Sequence, residues 1–476
     1  MKTKKSHSKL FFTVVGGTLL SFLAALPVSA SGIFPKSHYT VSEGKDILLS
    51  GSSRVSYDKE WHSSNTKVAT VDSRGIVHSI SKGKTKIKAV DKKNHSESFC
   101  TVEVTDPELL RNCYSSRGIV GKNEGFEICA ITNQKVSRVK FKISGDNYYR
   151  EQECWSGTQE KKSKIWKQNI SIPDNGKFSI HIDCLSDGRW ISCSNKAISD
   201  IIVSESCGEF SSNLKEKRVS EKCARFIYSC EGDRARVYAD SAGFLTIGCG
   251  KRVYPYEPFY NNLSSAEILG YFMETLNQGS YSRAVNNFLI NNKIKYNQPQ
   301  FDALVSFSFN LGAGWIYNGS YLKTLMLSAG SGKGGKLKAM VNVSDCLRVR
   351  ERPDVNSKKL AILRGGDQVS VLSDKKYNDN WYKIRTENGV EGYCHADYLG
   401  VYRESNSGKS LNHINKDEFV NEFLQYHHAG GKCFSGLLSR RAQELDMFLK
   451  GKYSRYDYLY YKKMSYKRPK CTEGKF

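Results

Sequence analysis

The sequence predicts a multi-domain protein in which N-terminal β-sandwich modules precede an α+β domain that is interrupted by a small β-barrel. Three observations support this fold class. The chain has 476 residues, too many for one core, because single domains have roughly 100–200 residues. Apolar and polar residues alternate in strand-like runs before about residue 206, and helical spacing starts from Leu214. The helical spacing stops over residues 341–402 and resumes at Lys416.

Domain boundaries follow from these changes of pattern. The predicted ranges are 1–30 for an export signal, 34–105 and 106–206 for the two β modules, 214–338 and 413–452 for the two parts of the helical domain, 341–402 for the insert, and 453–476 for a basic, tyrosine-rich tail.

The N-terminus has the pattern of a secretory signal. Lys2, Lys4, Lys5 and Lys9 precede an apolar run from Leu10 to Leu26, and small residues surround Ala30. A membrane anchor is the alternative, but the apolar run is short for a span and contains two glycines. We therefore expect cleavage after Ala30 and a protein that is secreted or associated with the cell wall.

The charge of the chain is strongly positive. Lys and Arg number 72 against 48 Asp and Glu, which gives a formal net charge of +24. An exported basic protein meets anionic wall polymers and membranes rather than nucleic acid. We expect peptidoglycan and anionic wall polymers as partners, no nucleic acid, and a monomer. The alternative is that the charge serves solubility only.

The 14 cysteines of an exported chain predict several disulfides, whose connectivity the sequence leaves open. Cys223 and Cys230 cannot easily pair if they share a helix, since seven residues rise roughly 10 Å. The sequence contains no Cys-x-x-Cys pair, so we expect no zinc or thioredoxin-type site.

The first β module contains a recognisable pattern. Its residues are Trp61–Asn65, Val68–Asp72, Gly75–Val77 and Gly83–Thr85. This segment resembles the bacterial immunoglobulin-like domain of group 2, which implies a small β-sandwich. The second module alternates apolar residues before Asp187-Gly188, a hairpin turn signal, and we interpret it as a second sandwich of no identified family.

Helical spacing begins with Val219, Cys223, Phe226, Ile227 and Cys230, and Ser220 is the expected N-cap. Further helices are predicted at about 264–277, 281–292, 297–311 and 416–449. The Gly/Ser-rich segment from Ser328 to Lys336 reads as a flexible linker before the β insert. An α–β–α order indicates that one module is inserted into a loop of another.

A dense polar constellation follows the first helix. It comprises Glu231-Gly232, Tyr238–Gly243 and Leu245–Gly248. Hydrolysis of a glycosidic bond needs a protonated carboxylic acid for the leaving oxygen and a second carboxylate to act on water or on the oxocarbenium-like transition state. We expect apolar surroundings at the helix end to keep Glu231 protonated, and Asp240 to stay ionised in a turn.

This constellation resembles the phage-type lysozymes of glycoside hydrolase family 24, the endolysin group. Glu231, Asp240 and Thr246 stand in that family's Glu–Asp–Thr spacing and frame. The resemblance implies that Glu231 is the proton donor and that Asp240 and Thr246 position and activate the attacking water, with inversion of configuration. Residues 298–314 and 430–444 resemble the core helix and the closing helix of the same family.

The sequence departs from that family in two places. Cys249 and Lys251 stand where the family usually has an aromatic residue and a histidine, and an insert separates Leu327 from Asn415. The insert resembles a bacterial Src-homology-3-like domain through residues that follow that family's pattern: Leu347–Arg350, Pro353, Gly365-Gly366, Val369, Val371, Trp381-Tyr382, Gly392-Tyr393 and Tyr398-Leu399.

The resemblance of the insert implies a domain that binds cell-wall peptides or glycans; a spacer that binds nothing is the alternative. Cys346 and Cys394, near its two ends, are candidates for a disulfide. His427-His428, which precede Cys433, could suggest a metal site, but no acidic or Cys-x-x-Cys partner accompanies them, so we interpret them as cleft or surface histidines.

The sequence thus predicts a lysozyme that hydrolyses the β-1,4 bond between N-acetylmuramic acid and N-acetylglucosamine, with Glu231, Asp240 and Thr246 as catalytic residues and no metal or cofactor. The alternative from another class is a non-catalytic wall-binding or adhesive surface protein. A third hypothesis keeps the enzyme and replaces its substrate by chitin-like polymers.

Overall fold

The computed structural model describes residues 34–453, apart from residues 206, 210, 213, 232–233, 318–319, 331–335, 344, 379, 404–407 and 430–431. The export signal predicted for 1–30 lies outside the described residues, as does nearly all of the predicted tail. Within the described part, no helix is both long and apolar enough to cross a membrane.

The first β module is a sandwich of two sheets. Its strands are β1 (His38–Ser42), β2 (Lys45–Leu48), β3 (Lys59–Ser63), β4 (Ala69–Val71), β5 (Ile76–Ser79), β6 (Gly83–Asp91) and β7 (Glu97–Thr105). One sheet has the order β1-β7-β6-β3, and β5 lies between β2 and β4 in the other. Alternate residues of β6 and β7 are buried, as expected for strands with one face on a core.

The second module is also a two-sheet sandwich. Its strands are β8 (Leu110–Ser115), β9 (Ile119–Val120), β10 (Phe126–Thr132), β11 (Arg138–Gly145), β12 (Tyr148–Cys154), β13 (Thr158–Glu160), β14 (Ser163–Ile170), β15 (Gly176–Ser186) and β16 (Arg189–Val203). The sheets have the orders β13-β14-β10-β8 and β12-β11-β15-β16-β9. The turn predicted at Asp187-Gly188 joins β15 to β16, with positive φ at both residues.

The helical domain begins with α1 and a small β-lobe. Its first part comprises α1 (Glu221–Glu231), β17 (Tyr238–Ala239), β18 (Leu245–Ile247), β19 (Lys251–Arg252), β20 (Pro258–Tyr260), α2 (Ser265–Gln278), α3 (Ser280–Asn291), β21 (Ile294–Lys295), α4 (Gln298–Leu311), α5 (Gly314–Tyr317) and α6 (Tyr321–Leu327). The helices predicted from 219 to 311 are confirmed within a few residues. The predicted cap at Ser220 is confirmed, because its Oγ accepts a hydrogen bond from Cys223 N.

The insert forms one seven-stranded sheet. Its strands are β22 (Leu337–Val341), β23 (Cys346–Arg350), β24 (Lys359–Arg364), β25 (Gln368–Val371), β26 (Trp381–Arg385), β27 (Glu391–His395) and β28 (Leu399–Arg403). The first and last strands pair antiparallel, from Leu337↔Arg403 to Val341↔Leu399. The chain therefore enters and leaves the insert at one place, which allows it to interrupt the helical domain without separating its two parts.

The second part of the helical domain returns to the first. It comprises β29 (Lys409–Ser410), α7 (Lys416–Leu424), β30 (His428–Ala429), β31 (Lys432–Cys433) and α8 (Ser435–Lys450). The prediction of continuous helix from 416 to 449 is wrong, because a small hairpin separates α7 from α8. His427 is fully buried and its Nδ1 lies 2.6 Å from Leu424 O, which corrects the prediction of a cleft or surface histidine.

The cysteines whose side chains the structure describes are free thiols, so the predicted disulfides are not formed among them. Cys184 and Cys193 come closest, with their Sγ atoms 3.5 Å apart between β15 and β16. The predicted pair of Cys346 and Cys394 is not joined; the Cys394 thiol contacts Arg348 O at 3.6 Å instead.

The modules share hydrophobic cores. The core of the helical domain includes Tyr114, Cys129, Ile131 and Ile165 from the second sandwich. The β-lobe has its own core, to which the first sandwich contributes Leu48 and Ile76. The sandwiches are therefore packed onto the helical domain rather than tethered to it.

Candidate functional site

Glu231 is the last residue of α1. This helix buries one face, which includes Cys223, Phe226 and Ile227, and that face fixes the direction in which the helix ends. The Glu231 side chain is 38% exposed, and Arg440 Nη1 donates a hydrogen bond of 2.6 Å to its Oε1. The expectation of apolar surroundings for this carboxyl is therefore wrong: its closest described partner is a guanidinium.

Arg440 belongs to a buried charge cluster on α8. Its Nε lies 3.3 Å from Glu444 Oε1, and Arg441 Nε lies 2.8 Å from Glu444 Oε2. Ser306 on α4 donates a hydrogen bond of 2.7 Å to the same glutamate. Burial raises the pKa of the Glu444 carboxyl, and the two guanidiniums oppose that shift. The cluster attaches α8 to α4 and holds the Arg440 guanidinium against Glu231.

The contact of Arg440 with Glu231 was missed by sequence reasoning. Arg440 and Glu444 are four residues apart on one helix, which is the spacing of an ion pair and was readable. The contact with Glu231 joins residues 209 positions apart, and no local pattern encodes it.

Asp240 lies in the turn of the hairpin formed by β17 and β18. Its Oδ1 accepts hydrogen bonds from Ala242 N at 2.9 Å and Phe244 N at 2.8 Å. Gly243 completes the turn with a φ of 81°, a conformation that favours glycine, and its N donates to Asp240 O. The carboxylate is thus fixed by backbone amides, and no described residue donates a hydrogen bond to its other oxygen, Oδ2.

Thr246 lies in the middle of β18. It pairs with Tyr238 on β17 and Arg252 on β19, so that it occupies the central strand of the small sheet. The side chain is 3% exposed, and its hydroxyl donates to Phe244 O at 3.1 Å. Asp240 and Thr246 are therefore both connected to the backbone of the same turn.

The end of α1 lies near this hairpin. Gly248 has a φ of 62° at the end of β18, and its N donates to Arg234 O at 2.9 Å. Arg234 follows Glu231 by three residues, and three peptide units span at most about 11 Å. Among the described residues no hydrogen bond joins Glu231 to Asp240 or Thr246.

The two positions that depart from the expected family pattern also lie beside the hairpin. Cys249 packs against the cores of both the helical domain and the β-lobe. The Lys251 ammonium lies 4.0 Å from the ring centroid of Tyr271, and burial lowers the pKa of this lysine. A cavity of about 790 Å³ between the second sandwich and the β-lobe is lined by Lys251 and Arg252, but not by Glu231, Asp240 or Thr246.

A metal-binding arrangement is not found in the described part of the chain, where no three or more His, Cys, Asp or Glu side chains cluster suitably.

Three family models match parts of the chain. Residues 39–102 match the bacterial Ig-like domain (group 2), residues 228–341 match phage lysozyme, and residues 345–400 match the bacterial SH3 domain. These matches confirm the three resemblances and the fold class. Glu231, Asp240 and Thr246 all lie within the range that matches phage lysozyme.

Solved structures of low identity also resemble the chain in part. An endolysin from Escherichia coli O157:H7 phage FAHEc1 is 18% identical, with 50% of this chain and 98% of that chain covered and a TM-score of 0.25. Domains 4 and 5 of the S-layer protein SbsC are 15% identical over 31% of this chain and 70% of that chain, with a TM-score of 0.13. Murine CEACAM1b is 14% identical over 34% and 94%, with a TM-score of 0.14. Comparison with curated proteins gave no match.

Proposed function

We propose that this chain, part of which matches phage lysozyme, is a secreted or wall-associated lysozyme that hydrolyses the β-1,4 bond between N-acetylmuramic acid and N-acetylglucosamine in peptidoglycan. The observation that carries the proposal is the match over residues 228–341, because that range contains Glu231 at the end of α1 and the hairpin with Asp240 and Thr246. The bacterial SH3 match at 345–400 supports a wall polymer as substrate.

In the proposed reaction Glu231 is the general acid. It donates its proton to the glycosidic oxygen as the bond from that oxygen to C1 of N-acetylmuramic acid breaks. Arg440 donates to Oε1 of Glu231, so we assign the transferred proton to Oε2. Arg440 is a positioning residue in this mechanism, since it fixes the direction of the carboxyl.

Asp240 and Thr246 act on the attacking water. Asp240 accepts a proton from this water as its oxygen bonds to C1 on the face opposite the leaving group, which inverts the configuration. The Thr246 hydroxyl, next to the same turn, orients the water. Backbone amides already satisfy Oδ1 of Asp240, which leaves Oδ2 as the oxygen that takes the proton.

Analysis of the products tests the bond that is cut. Purified peptidoglycan is digested with the full-length protein, the new reducing ends are reduced with borohydride, and the hydrolysed sugars are identified. We expect muramitol, because cleavage on this side of the sugar leaves N-acetylmuramic acid at the reducing end. Glucosaminitol in place of muramitol would show that the other glycosidic bond, after N-acetylglucosamine, is cut, which would contradict the proposal. Digestion of a chitin-like polymer in parallel tests the alternative substrate.

A non-catalytic wall-binding protein is the second candidate, favoured by the bacterial SH3 match and by the two sandwiches that precede the helical domain. This candidate predicts that the protein sediments with walls and releases no reducing ends from them. Muramitol release by the purified protein would exclude it.

A further inference from the structure

The first sandwich pairs directly with the hairpin that carries Asp240. Val55 N donates to Gly243 O at 2.9 Å, and Leu245 N donates to Ser53 O at 2.7 Å. Arg54 and Phe244 form an antiparallel β-bridge between these two hydrogen bonds. A loop of one module is thus joined to the hairpin of the other by an isolated β-bridge, which places the Arg54 side chain at the Asp240 turn.

Two arginines contact the same aromatic ring at this junction. The Arg54 guanidinium carbon lies 5.6 Å from the Phe244 ring centroid, and that of Arg252 lies 3.8 Å from it. Both arginines are exposed. Arg54 Nη2 also donates to Ala242 O at 3.3 Å, two residues after Asp240. The ring, the strand pairing and this hydrogen bond hold Arg54 in place before any ligand arrives.

Neither guanidinium is neutralised within the described part of the chain. No carboxylate there lies within 4.0 Å of Arg54 or Arg252. By contrast, Arg111, Arg117 and Lys196, which line the same cavity as Arg252, each form an ion pair. Exposed Arg234 and Arg236 add positive charge on the same lobe, and Arg234 stacks 4.5 Å from the Tyr238 ring. The guanidiniums of Arg54 and Arg252 are therefore ordered by the fold and form no ion pair among the described residues.

The guanidinium is the side chain best suited to bind a carboxylate, since its planar N–H groups match the two oxygens. Peptidoglycan has such groups in the peptides attached to each N-acetylmuramic acid. We propose that Arg54 and Arg252 form a subsite for the carboxylates of these peptides, next to the Asp240 turn. The proposal rests on the proposed function, and it makes the first sandwich a part of the substrate site.

Binding to walls tests the subsite apart from hydrolysis. The full chain with Glu231→Gln is used throughout, so that the walls stay intact, and its binding to purified peptidoglycan is measured by sedimentation at low salt. Arg54→Gln and Arg252→Gln are added singly. Lys93→Gln is the matched control, because Lys93 is exposed on the same sandwich and belongs to no ion pair among the described residues. Arg54→Lys keeps the charge.

We expect each arginine-to-glutamine change to weaken binding by roughly threefold, as for one exposed ion pair, and Lys93→Gln to leave it unchanged. We expect Arg54→Lys to restore part of the loss, because lysine keeps the positive charge that glutamine removes. Arg252→Gln leaves the β-bridge intact, so it tests the proposal even if Arg54→Gln lowers the melting temperature.

Two treatments of the walls identify the ligand. Carbodiimide amidation neutralises carboxyl groups and leaves phosphodiesters, whereas acid extraction removes phosphate polymers and leaves the peptides. We expect the difference between wild-type and glutamine variants to vanish on amidated walls and to persist on extracted walls. A difference that persists on amidated walls or vanishes on extracted walls would overturn the proposal. Arginine variants that bind untreated walls as tightly as Lys93→Gln would also overturn it. This binding result does not depend on hydrolysis, so it can be read even if the product assay shows that no bond, or a different bond, is cut.

Discussion

Arg440 determines how the Glu231 carboxyl is presented. Its side chain is 7% exposed, and its guanidinium connects two glutamates, one at the end of α1 and one within α8. A buried cation with two carboxylate partners is held more firmly than an exposed pair, because neither water nor salt competes well for it. The direction of Glu231 therefore depends on α8, the last described helix, rather than on the helix that carries it.

Replacement of Arg440 by Ala tests this role. We expect the free energy of unfolding to fall by about 3 kcal/mol, since the change leaves Glu444 buried with one cation fewer. We also expect wall hydrolysis to slow at temperatures where the variant is folded, because Glu231 loses its donor. Urea unfolding and dye release from labelled walls measure the two effects.

The matched control for this prediction is Arg225→Ala on α1. Arg225 Nη2 lies 2.5 Å from Glu221 Oε1, but its side chain is 52% exposed. Exposed ion pairs contribute about 1 kcal/mol or less, so this change leaves stability and hydrolysis nearly intact. Equal effects of the two substitutions would contradict the role assigned to Arg440.

Strand β20 illustrates how elements of different modules are joined. It pairs antiparallel with β2 of the first sandwich, from Lys45↔Tyr260 to Ile47↔Pro258. Next to it, Asp46 Oδ2 accepts hydrogen bonds from Asn261 Nδ2 at 2.8 Å and from His78 Nδ1 at 2.7 Å. The hydrogen bond with Asp46, with a smaller contribution from Asp72, raises the pKa of His78 from 6.5 to about 9.

This junction predicts a pH dependence of stability. Because the pKa of His78 is higher in the folded than in the unfolded state, its contribution is fully present below about pH 6.5 and is lost as the pH rises through about 9. We expect the melting temperature of wild type to fall between pH 6.5 and 9.5 by more than that of His78→Gln. His62→Gln, an exposed histidine of the same sandwich, is the control. Parallel curves for wild type and His78→Gln would show that the histidine is not responsible.

Elements with strong local signals were predicted well from the sequence. Helices α2, α3 and α4 lie within about two residues of their predicted ranges, since amphipathic spacing is a local feature of the sequence. The break between α7 and α8 was missed because helical spacing continues through it. The pairing of β20 with β2 was missed because it joins residues more than 200 positions apart.

At the scale of the whole molecule, the modules form a continuous assembly. Glu108, between the two sandwiches, accepts hydrogen bonds from Lys45 of the first, Lys196 of the second and Tyr260 of the β-lobe. Despite partial burial, the two lysines lower the pKa of this carboxyl to about 2. The sequence identified the families of three of the modules but not how the modules pack together, since shared cores arise from contacts that no single module encodes.

Substitution of two adjacent leucines distinguishes the stability of the first sandwich from its support of the Asp240 hairpin. Leu48 and Leu49 are both fully buried, but Leu48 packs in the core of the β-lobe and Leu49 in the core of the sandwich. We expect each change to Ala to cost about 2–5 kcal/mol. At temperatures where both variants are folded, Leu48→Ala should lose more wall hydrolysis than Leu49→Ala. Equal losses would argue against support of the hairpin by the first sandwich.

The most direct test of the whole account is the hydrolysis of purified cell walls by wild type and by Glu231→Gln, with Glu257→Gln as a control in the same lobe. Turbidity loss and release of reducing ends are followed for all three proteins, and circular dichroism verifies their folding. We predict that wild type and the control hydrolyse walls, and that Glu231→Gln is slower by about 100-fold or more, since it has no proton to donate. A folded Glu231→Gln protein that cuts walls at the wild-type rate would contradict the account.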